Sequence, residues 1–492
     1  MAHKSKKRKQ QSGGQQVDVS NKQPRTSASK PITPPLDSNS DDGTGRAASH
    51  GGRVQSLLAV VSPEELEIAV ETLAELSKHP NLIKSKACRD LRAAVYDFRQ
   101  ACATGLNSSL SNLTGRITAA LVDGKHTDAQ VLLAEMRIRG EEPKLGAMCR
   151  WVRDLDVISG VSTGAEEAVV ERSAKERELI RILDAVLRVC GHIDTSSYTT
   201  SDASNPIAVQ EIWDLRSSAP KQQVYASVLD KTILLDSAPE LSTGLRVIET
   251  TPGALRKPPN HHDAILYTSK PGTVPLSPTP LSISYHHHPI VPGLTLATRV
   301  LSPTECKAII AAGESVNFFP DAPLREDGDV SVLAHNFYWV VDQQFHDTLW
   351  SRIAPFAPSV DGRAGRGLNR RFRVYRYVPG AEYRCHIDGA WPPSGILPDD
   401  TYVYDASPPD RRQSSLFTFL IYLNDEFEGG ETTFFLPAAR EGVLNAYPVR
   451  PVMGAVAIFP HGDTRGALLH EGTGVREGAK YVIRTEIEYD VA

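Results

Sequence analysis

The chain has 492 residues, of which 40% are hydrophobic, so it has room for two or three domains with buried cores. Its formal net charge is −5, and its six cysteines are scattered without the spacing of a zinc site or a redox pair. It has no secretory leader pattern and no apolar run close to the ~18 residues that are needed to cross a bilayer. We therefore expect an intracellular protein, nuclear or cytoplasmic and not secreted, that does not contact a membrane.

Residues 1–55 are rich in Ser, Gly, Gln and Pro and have almost no large apolar side chains, so we expect a disordered tail. The tail is basic, because residues 1–60 carry ten Lys and Arg against four Asp, which gives +6 and leaves −11 for the rest. The run from Lys4 to Lys9 is typical of a nuclear import signal or of a non-specific nucleic-acid contact. A merely solubilising tail is the alternative, and any contact with nucleic acid is expected through this tail alone.

Residues 56–191 have the apolar spacing of helices. Ser62 has the position of an N-cap, followed by Pro63 in the first turn and by the capping residue Glu65. Further helices are predicted at residues 85–104, 113–121, 127–139, 145–155 and 165–189. We interpret this α-helical region as a possible interaction module that binds a partner protein.

Residues 192–285 are rich in Pro and Ser and contain scattered pieces that look like strands, such as Val224–Leu229 and Ala264–Ser269. These residues could be a linker between domains or a partial extension of the following one. The sequence leaves both possibilities open.

Residues 286–492 contain short apolar runs separated by Gly and Pro, which predicts an all-β core. Such a pattern is typical of a double-stranded β-helix, or jelly roll, a barrel that brings distant residues together at its mouth. The fold class that we expect is therefore α+β and multidomain, with a C-terminal jelly roll after the helical region and the tail. The strands are predicted at residues 371–378, 383–388, 416–424, 429–436, 454–459, 468–472 and 480–484.

A His-x-Asp pattern occurs three times, at His261, His386 and His461. The first and third copies lie among Pro and Gly residues and are predicted to be loops. His386 follows a strand-like run, and since side chains alternate along a strand, His386 and Asp388 would face one side while Ile387 faces the opposite layer. With His470 from a later strand, they form the two-histidine, one-carboxylate ligand set of a mononuclear non-haem Fe(II) oxygenase.

Lys480 follows His470 by ten residues, with Gly-rich turn material between them. If the two runs form an antiparallel hairpin that turns near Val475, Lys480 would lie opposite His470, with Cβ atoms about 5 Å apart. A cation there would suit the far carboxylate of a dicarboxylic cosubstrate that chelates iron. Arg484, which has the same strand parity, is the reserve candidate, and solvated charges are the alternative.

Together these residues resemble the prolyl 4-hydroxylase branch of the 2-oxoglutarate and Fe(II)-dependent dioxygenases. The resemblance runs from about Ile290 to Tyr489. The motifs that carry it are Tyr377-x-x-Gly380-x-x-Tyr383-x-x-His386-x-Asp388, Tyr422-Leu423-Asn424, Gly429-Gly430-Glu431-Thr432-x-Phe434, Leu469-His470-Glu471-Gly472 and Gly478-x-Lys480-Tyr481-Val482-x-Arg484-Thr485.

The resemblance implies that His386, Asp388 and His470 ligate Fe(II). It also implies a cosubstrate pocket in which Lys480 binds the far carboxylate of 2-oxoglutarate. Packing in the core is the alternative role for the tyrosines of this set. The further residues of the implied pocket are Tyr422, Thr418 on the same strand face, Tyr377, Tyr383 and, in reserve, Arg484.

The implied reaction is hydroxylation of a prolyl residue of a protein or peptide, coupled to decarboxylation of 2-oxoglutarate to succinate. Its cofactors would be Fe(II), 2-oxoglutarate and O2, with ascorbate as the reductant. One alternative keeps this chemistry but acts on a nucleic acid or a small molecule. Another is a noncatalytic helical scaffold with a vestigial barrel.

The stretch from Gly389 to Arg412 is longer than a plain strand connection and begins beside the expected metal ligands. We expect it to form part of a substrate rim. A solvated insertion is the alternative.

Overall fold

A computed structural model describes residues 61–104, 112–155, 172–196, 206–218, 222–235, 241–256, 259–279, 281–320, 334–462 and 465–491. The expected basic tail, with the run from Lys4 to Lys9, lies outside these residues. Among the described residues, no helix is both long and apolar enough to cross a membrane.

Several of the longer helices begin at a residue whose side chain caps the first turn. Ser62 and Glu65 form a reciprocal capping box, as do Ser302 and Glu305, in which each side chain accepts a hydrogen bond from the other residue's backbone N–H. The α-helices are α1 (Pro63–Ser77), α2 (Pro80–Ile83), α3 (Arg89–Thr104), α4 (Leu113–Val122), α5 (His126–Arg139), α6 (Leu145–Leu155), α7 (Ala174–Leu187), α8 (Val224–Leu229), α9 (Thr232–Leu235), α10 (Leu241–Gly244), α11 (Pro303–Val316) and α12 (Gln343–Ile353).

The predicted helices of residues 62–155 are confirmed by α1 and α3 to α6. The helix expected at residues 165–189 is shorter, because α7 begins at Ala174, and residues 165–171 lie outside the described part. The strand-like reading of Val224–Leu229 is wrong, since these residues form α8. Short runs of apolar residues fit either element, and here the packing of α8 against α9 and α11 accompanies the helical form.

The strands cover most of the second half of the chain. They are β1 (Ile207–Val209), β2 (Leu245–Thr251), β3 (Ala264–Ser269), β4 (Ser284–His287), β5 (Thr295–Thr298), β6 (Phe319–Pro320), β7 (His335–Val340), β8 (Gly367–Leu368), β9 (Arg371–Tyr377), β10 (Tyr383–His386), β11 (Gly395–Ile396), β12 (Tyr402–Val403), β13 (Gln413–Tyr422), β14 (Glu428–Gly429), β15 (Thr432–Pro437), β16 (Leu444–Val449), β17 (Val456–Pro460), β18 (Leu469–Gly472), β19 (Val475–Glu477) and β20 (Lys480–Asp490). Seven of them lie at the predicted runs of residues 371–484.

The described strands form two main sheets. The small sheet has the order β1-β16-β15-β18-β10. The large sheet has the order β2-β3-β7-β9-β20-β13-β17-β5-β4, with β6 beside β7 and β8 beside β20. The pairs β1–β16 and β3–β7 are parallel, whereas the other pairs of these sheets are antiparallel.

The two sheets pack face to face and are covered on both outer faces by helices. Tyr375 and Val482 from the large sheet pack with Phe434 from the small sheet in the space between them. The outer face of the large sheet packs against α8 to α12, so the expectation of an all-β core is wrong for this layer. Because successive strand residues point to opposite faces, the large sheet contributes side chains both to the apolar outer layer and to the space between the two sheets.

The helical region packs directly against the outer face of the small sheet. Side chains of α4 to α7 share one apolar cluster with Phe435, Leu444 and Leu469. The Cys149 thiol of α6 donates a hydrogen bond to the backbone carbonyl of Ile387, 3.5 Å away, in the chain that follows β10. The helical region and the barrel therefore share a core.

Residues 192–285 contribute strands to both sheets. Ile207–Val209 forms the edge of the small sheet, and Leu245–Thr251 and Ala264–Ser269 extend the large sheet beyond β7. The stretch after Asp388 forms the hairpin of β11 and β12, and Ile396 and Tyr402 of this hairpin pack on the extension. The extension thus supports the expected substrate rim.

Candidate metal centre

Two neighbouring strands of the small sheet bring the three expected ligands together. His386 of β10 lies in register with His470 of β18, and Asp388 follows two residues after His386. One nitrogen of each histidine and one oxygen of Asp388 all lie within 4.8 Å of one another. Ile387 and Cys385 point to the opposite, helix-covered layer, as strand alternation predicts.

Backbone carbonyls orient both imidazole rings. His386 Nδ1 lies 2.7 Å from the Arg384 carbonyl oxygen, and His470 Nδ1 lies 3.1 Å from the Leu468 carbonyl oxygen. Since a carbonyl only accepts, each Nδ1 carries the proton and each Nε2 keeps a free lone pair. The Nε2 atoms lie 3.5 and 3.7 Å from the oxygens of Asp388, so the lone pairs are available where a metal ion would bind.

Both oxygens of Asp388 are held by neighbours. Thr418 Oγ1 donates to Oδ2 over 2.6 Å, and Arg484 Nη2 lies 3.1 Å from Oδ1. Burial on its own would raise the pKa of Asp388, but the adjacent Arg484 guanidinium outweighs it and holds the pKa well below its usual range. The group is therefore a carboxylate, which is the ligand form that a metal requires.

His470 is in an apolar environment. Its ring stacks on Phe434, with centroids 5.7 Å apart, and meets Phe459 edge-on at 4.8 Å. Burial, followed by repulsion from His386, lowers the pKa of His470 to about 3, so the ring is neutral at physiological pH. A neutral imidazole is the form that binds a metal ion.

A cavity of about 430 Å³ of empty space adjoins the three ligands and is lined by residues of both sheets. The lining residues are Tyr375, Tyr377, Tyr383, His386, Asp388, Thr418, Leu420, Thr432, Phe459, His470, Gly472, Lys480, Val482 and Arg484.

Lys480 contributes a buried ammonium group to this cavity. Its side chain is 3% exposed, and its Nζ donates to the Gly430 carbonyl oxygen over 2.7 Å. Nζ also lies over the rings of Tyr377 and Tyr422, 5.3 and 5.9 Å from their centroids. Burial lowers the pKa of Lys480 to about 8, with a smaller opposing effect of Glu431.

The expected hairpin between His470 and Lys480 is wrong. The strand of His470, β18, pairs with β10 and β15 in the small sheet, whereas Lys480 begins β20 of the large sheet and lies in register with Tyr377. The turn residues near Val475 form β19, which pairs with β14. Lys480 therefore reaches the cavity from the opposite sheet.

The other expected pocket residues divide into two groups. Tyr377, Tyr383, Thr418 and Arg484 line the cavity, but Thr418 and Arg484 contact the carboxylate of Asp388. Tyr422 is fully buried beside the cavity, and its hydroxyl donates to Thr432 Oγ1 over 2.9 Å. Tyr422 is thus one residue removed from the cavity wall.

His461 also belongs to this site, although the sequence indicated only a loop. Its ring is 2% exposed and lies between Thr418 Oγ1 and Ser415 Oγ, at 2.8 and 2.7 Å. A single histidine among Pro and Gly residues carries no local signal for such contacts. Of the remaining His-x-Asp copy, Asp263 accepts a hydrogen bond from the Gly253 backbone and does not line the cavity.

Comparison with known families identifies the region that contains these residues. Residues 372–485 match the model of the 2OG-Fe(II) oxygenase superfamily. The resemblance seen in the motifs is therefore confirmed at the level of the superfamily, which implies a jelly-roll fold. No curated protein matches the chain.

Solved structures of prolyl hydroxylases are similar to part of the chain. The viral collagen prolyl hydroxylase of Paramecium bursaria Chlorella virus-1, in complex with 2OG, is 20% identical over 41% of this chain and 97% of its own, with a TM-score of 0.27. A prolyl-4-hydroxylase of Pseudomonas putida is 19% identical over 40% and 91%, with a TM-score of 0.24. A Trichoplax adhaerens prolyl hydroxylase with a hypoxia inducible factor peptide is 16% identical over 40% and 83%, with a TM-score of 0.28.

Proposed function

Because residues 372–485 match the 2OG-Fe(II) oxygenase superfamily, we propose that this chain is a 2-oxoglutarate- and Fe(II)-dependent dioxygenase that hydroxylates a prolyl residue of a protein or peptide. The observation that carries the proposal is the arrangement at one cavity of two imidazole Nε2 atoms, a carboxylate and a buried lysine. Two histidines and one carboxylate leave coordination positions open, as oxygen-activating iron sites need.

His386, Asp388 and His470 hold the iron in this proposal. When bound, iron and 2-oxoglutarate supply the oxidising power: one atom of O2 enters succinate, the other enters the hydroxylated product, and CO2 is released. The protein contributes orientation of the ligands and exclusion of water. Phe434 and Phe459 both pack against the His470 ring and fix its position, and Phe459 also makes the cavity wall beside that ring apolar.

Lys480 binds the far carboxylate of 2-oxoglutarate. An ammonium has three donors, and within the described structure its hydrogen bond to Gly430 uses one of them. The low polarity around Lys480 strengthens an ion pair with an incoming carboxylate. Tyr377 lies under the ammonium, and Tyr422 positions Thr432 on the cavity wall.

Thr418 and Arg484 act on the metal ligand in this proposal, because their polar groups contact Asp388. Tyr383 packs against His386, with ring centroids 4.2 Å apart, and lines the cavity beside that ligand. In this arrangement Lys480 binds the cosubstrate, and Arg484 neutralises the charge of Asp388.

The prolyl substrate is supported by the motif resemblance alone, since a metal site does not specify which C–H bond is attacked. The stretch from Gly389 to Arg412, which includes the hairpin of β11 and β12, forms the substrate rim in this proposal, because it begins directly after Asp388. The helical region would bind a partner protein. The basic tail would direct the enzyme to the nucleus, which a tagged protein without residues 4–9 would test by microscopy.

The decisive experiment measures succinate formation by the purified full-length protein with Fe(II), 2-oxoglutarate and ascorbate in the absence of a protein substrate. We expect turnover that is lost in His470→Ala and Asp388→Ala and kept in His286→Ala, since His286 is exposed on β4. If turnover is absent, measuring 2-oxoglutarate binding to the Mn(II)-loaded protein distinguishes an enzyme from a noncatalytic scaffold. Binding without turnover indicates an enzyme that needs its substrate, and no binding would favour the scaffold.

A second experiment tests the substrate class. Proline-containing peptides incubated with the active protein would gain one oxygen atom on proline, as fragmentation mass spectra would show. If a nucleic acid or a free small molecule were oxidised and the peptides were not, the same chemistry would have to be assigned to that other substrate class.

A further inference from the structure

A buried chain of hydrogen bonds leads from Asp388 away from the cavity. Thr418 Oγ1 lies 2.6 Å from Asp388 Oδ2, and His461 Nδ1 lies 2.8 Å from Thr418 Oγ1. On its other side, His461 Nε2 lies 2.7 Å from Ser415 Oγ, which accepts the Trp391 backbone N–H over 2.9 Å. Thr418, His461 and Ser415 are at most 2% exposed, so water does not compete with these contacts.

The chemistry of the groups fixes the direction of every bond in this chain. A carboxylate that ligates a metal only accepts, so the Thr418 hydroxyl donates to Asp388. The Thr418 oxygen can then accept from His461, which requires the proton of a neutral His461 ring to be on Nδ1. Nε2 is left as the acceptor for the Ser415 hydroxyl. Burial lowers the pKa of His461 to about 3, in agreement with a neutral ring.

This series of hydrogen bonds restricts the Thr418 hydroxyl, which is otherwise free to rotate. When His461 donates into the oxygen of Thr418, the hydroxyl proton of Thr418 has Asp388 as its remaining partner in the chain. Thr418 thus holds Oδ2 while Arg484 holds Oδ1, which fixes the plane of the carboxylate. His461 is not among the residues that line the cavity, so it acts on the metal centre through Thr418.

We propose that His461, as the Nδ1–H tautomer, is a positioning residue that sets the orientation of Asp388 for metal binding. This inference rests on the proposed role of Asp388 as an iron ligand. The outer end of the chain is the backbone of Trp391, at the start of the segment that we assign to the substrate rim. The hydrogen bonds therefore connect the orientation of the Asp388 carboxylate to the first residues of that rim.

Two isosteric amides test the proposal in the full-length protein. In His461→Asn, the amide occupies the place of Nδ1 and can still donate to Thr418, but it does not reach Ser415. In His461→Gln, the amide reaches the place of Nε2 and leaves Thr418 without its donor. The readout is the affinity for Mn(II) alone, followed by electron paramagnetic resonance of the free ion, with thermal unfolding of the metal-free protein as the control for folding.

We expect His461→Gln to weaken Mn(II) binding by about tenfold, the lower end of the effect of losing a direct partner of a ligand because His461 acts through Thr418, and His461→Asn to stay within about threefold of wild type. Equal affinities in both variants, whether reduced or unchanged, would overturn the proposal. Failure of the wild-type protein to bind Mn(II) would instead refute the proposed function itself.

A third variant keeps the test valid if His461→Gln does not fold. Ser415→Ala removes the donor to Nε2, so that the ring is free to adopt the other tautomer, which cannot donate to Thr418. We expect weaker Mn(II) binding in a protein whose His461 is intact, and a changed absorption spectrum of its Co(II)-loaded form. Wild-type affinity together with a wild-type spectrum in Ser415→Ala would contradict the proposal.

Discussion

Arg484 Nη2 lies 3.1 Å from Asp388 Oδ1 and 3.2 Å from Glu486 Oε1, so one guanidinium serves two buried carboxyl groups beside the cavity. Arg484→Met would leave both groups without their cation. Removing one partner of a buried ion pair costs about 3 kcal/mol or more, and we expect that loss in the free energy of unfolding of the metal-free protein in urea.

A matched exposed pair provides the control for this loss. Arg366 pairs with Asp490 at the surface, and Arg366→Met should leave the free energy of unfolding close to that of wild type, because water and salt screen an exposed pair. If Arg484→Met were no more destabilising than Arg366→Met, the pairing of Arg484 with the two carboxyl groups would not matter for stability.

Lys480→Ala should weaken the binding of 2-oxoglutarate and leave the metal ligands in place. A charge-assisted hydrogen bond is worth about 1.5–3 kcal/mol, which corresponds to a rise in the Kd of roughly tenfold to hundredfold. Calorimetry of the Mn(II)-loaded protein measures this Kd. The exposed Lys270 gives the control, and a Lys480→Ala protein with the Kd of Lys270→Ala would exclude the proposed contact.

The pH dependence of cosubstrate binding follows from the same side chain. Burial lowers the pKa of Lys480 to about 8, so the ammonium of the free protein loses its proton as the pH rises through this value. Only the charged form pairs with a carboxylate, and the Kd of 2-oxoglutarate should rise by about tenfold per pH unit above pH 8 and stay level below it. Anaerobic titrations of the Mn(II)-loaded protein check this dependence.

Lys480→Arg is the control for the pH effect, because a guanidinium remains charged throughout this range. Its Kd can differ from that of wild type, since the shape of the cation changes, but it should not vary with pH. A wild-type Kd that stays level above pH 8 would show that another group holds the far carboxylate.

The shared core of the helical region and the small sheet predicts the outcome of shortening the chain. A chain that begins at residue 197 lacks α4 to α7 and exposes Phe435, Leu444 and Leu469 to water. We expect it to aggregate or to bind a hydrophobic dye, because exposed apolar patches of this kind favour association. Size-exclusion chromatography of this chain beside one that begins at residue 61 measures the difference, and a monomeric, Mn(II)-binding short form would contradict it.

The alternation of side chains along a strand explains which features of the site the sequence predicts correctly. His386 and Asp388 share one face and Ile387 and Cys385 the other, because side chains of consecutive strand residues point to opposite sides. The same rule places Thr418 and Arg484 on the cavity side of their strands. These relations involve only a few neighbouring residues and need no knowledge of the fold.

Pairing between strands is beyond such reasoning. The shortest connection suggested a hairpin between His470 and Lys480, but in this barrel the chain passes from one sheet to the other between them. His461 shows the same limitation, since its partners Ser415 and Thr418 lie more than forty residues away in the sequence. Contacts of this kind depend on the closure of the two sheets.

The position of the Ile387 backbone, between the ligands and α6, predicts where substitutions would impair activity. His386 and Asp388 flank this residue, and α6 contacts it from the other side through Cys149. Substitutions on the inward face of α6, for example at Met148 or Trp151, would therefore impair activity although these residues lie in a different layer from the iron site. A map of mutational tolerance would then show two intolerant regions, one around the ligands and one in the helix behind them, and only the first would coincide with the cavity.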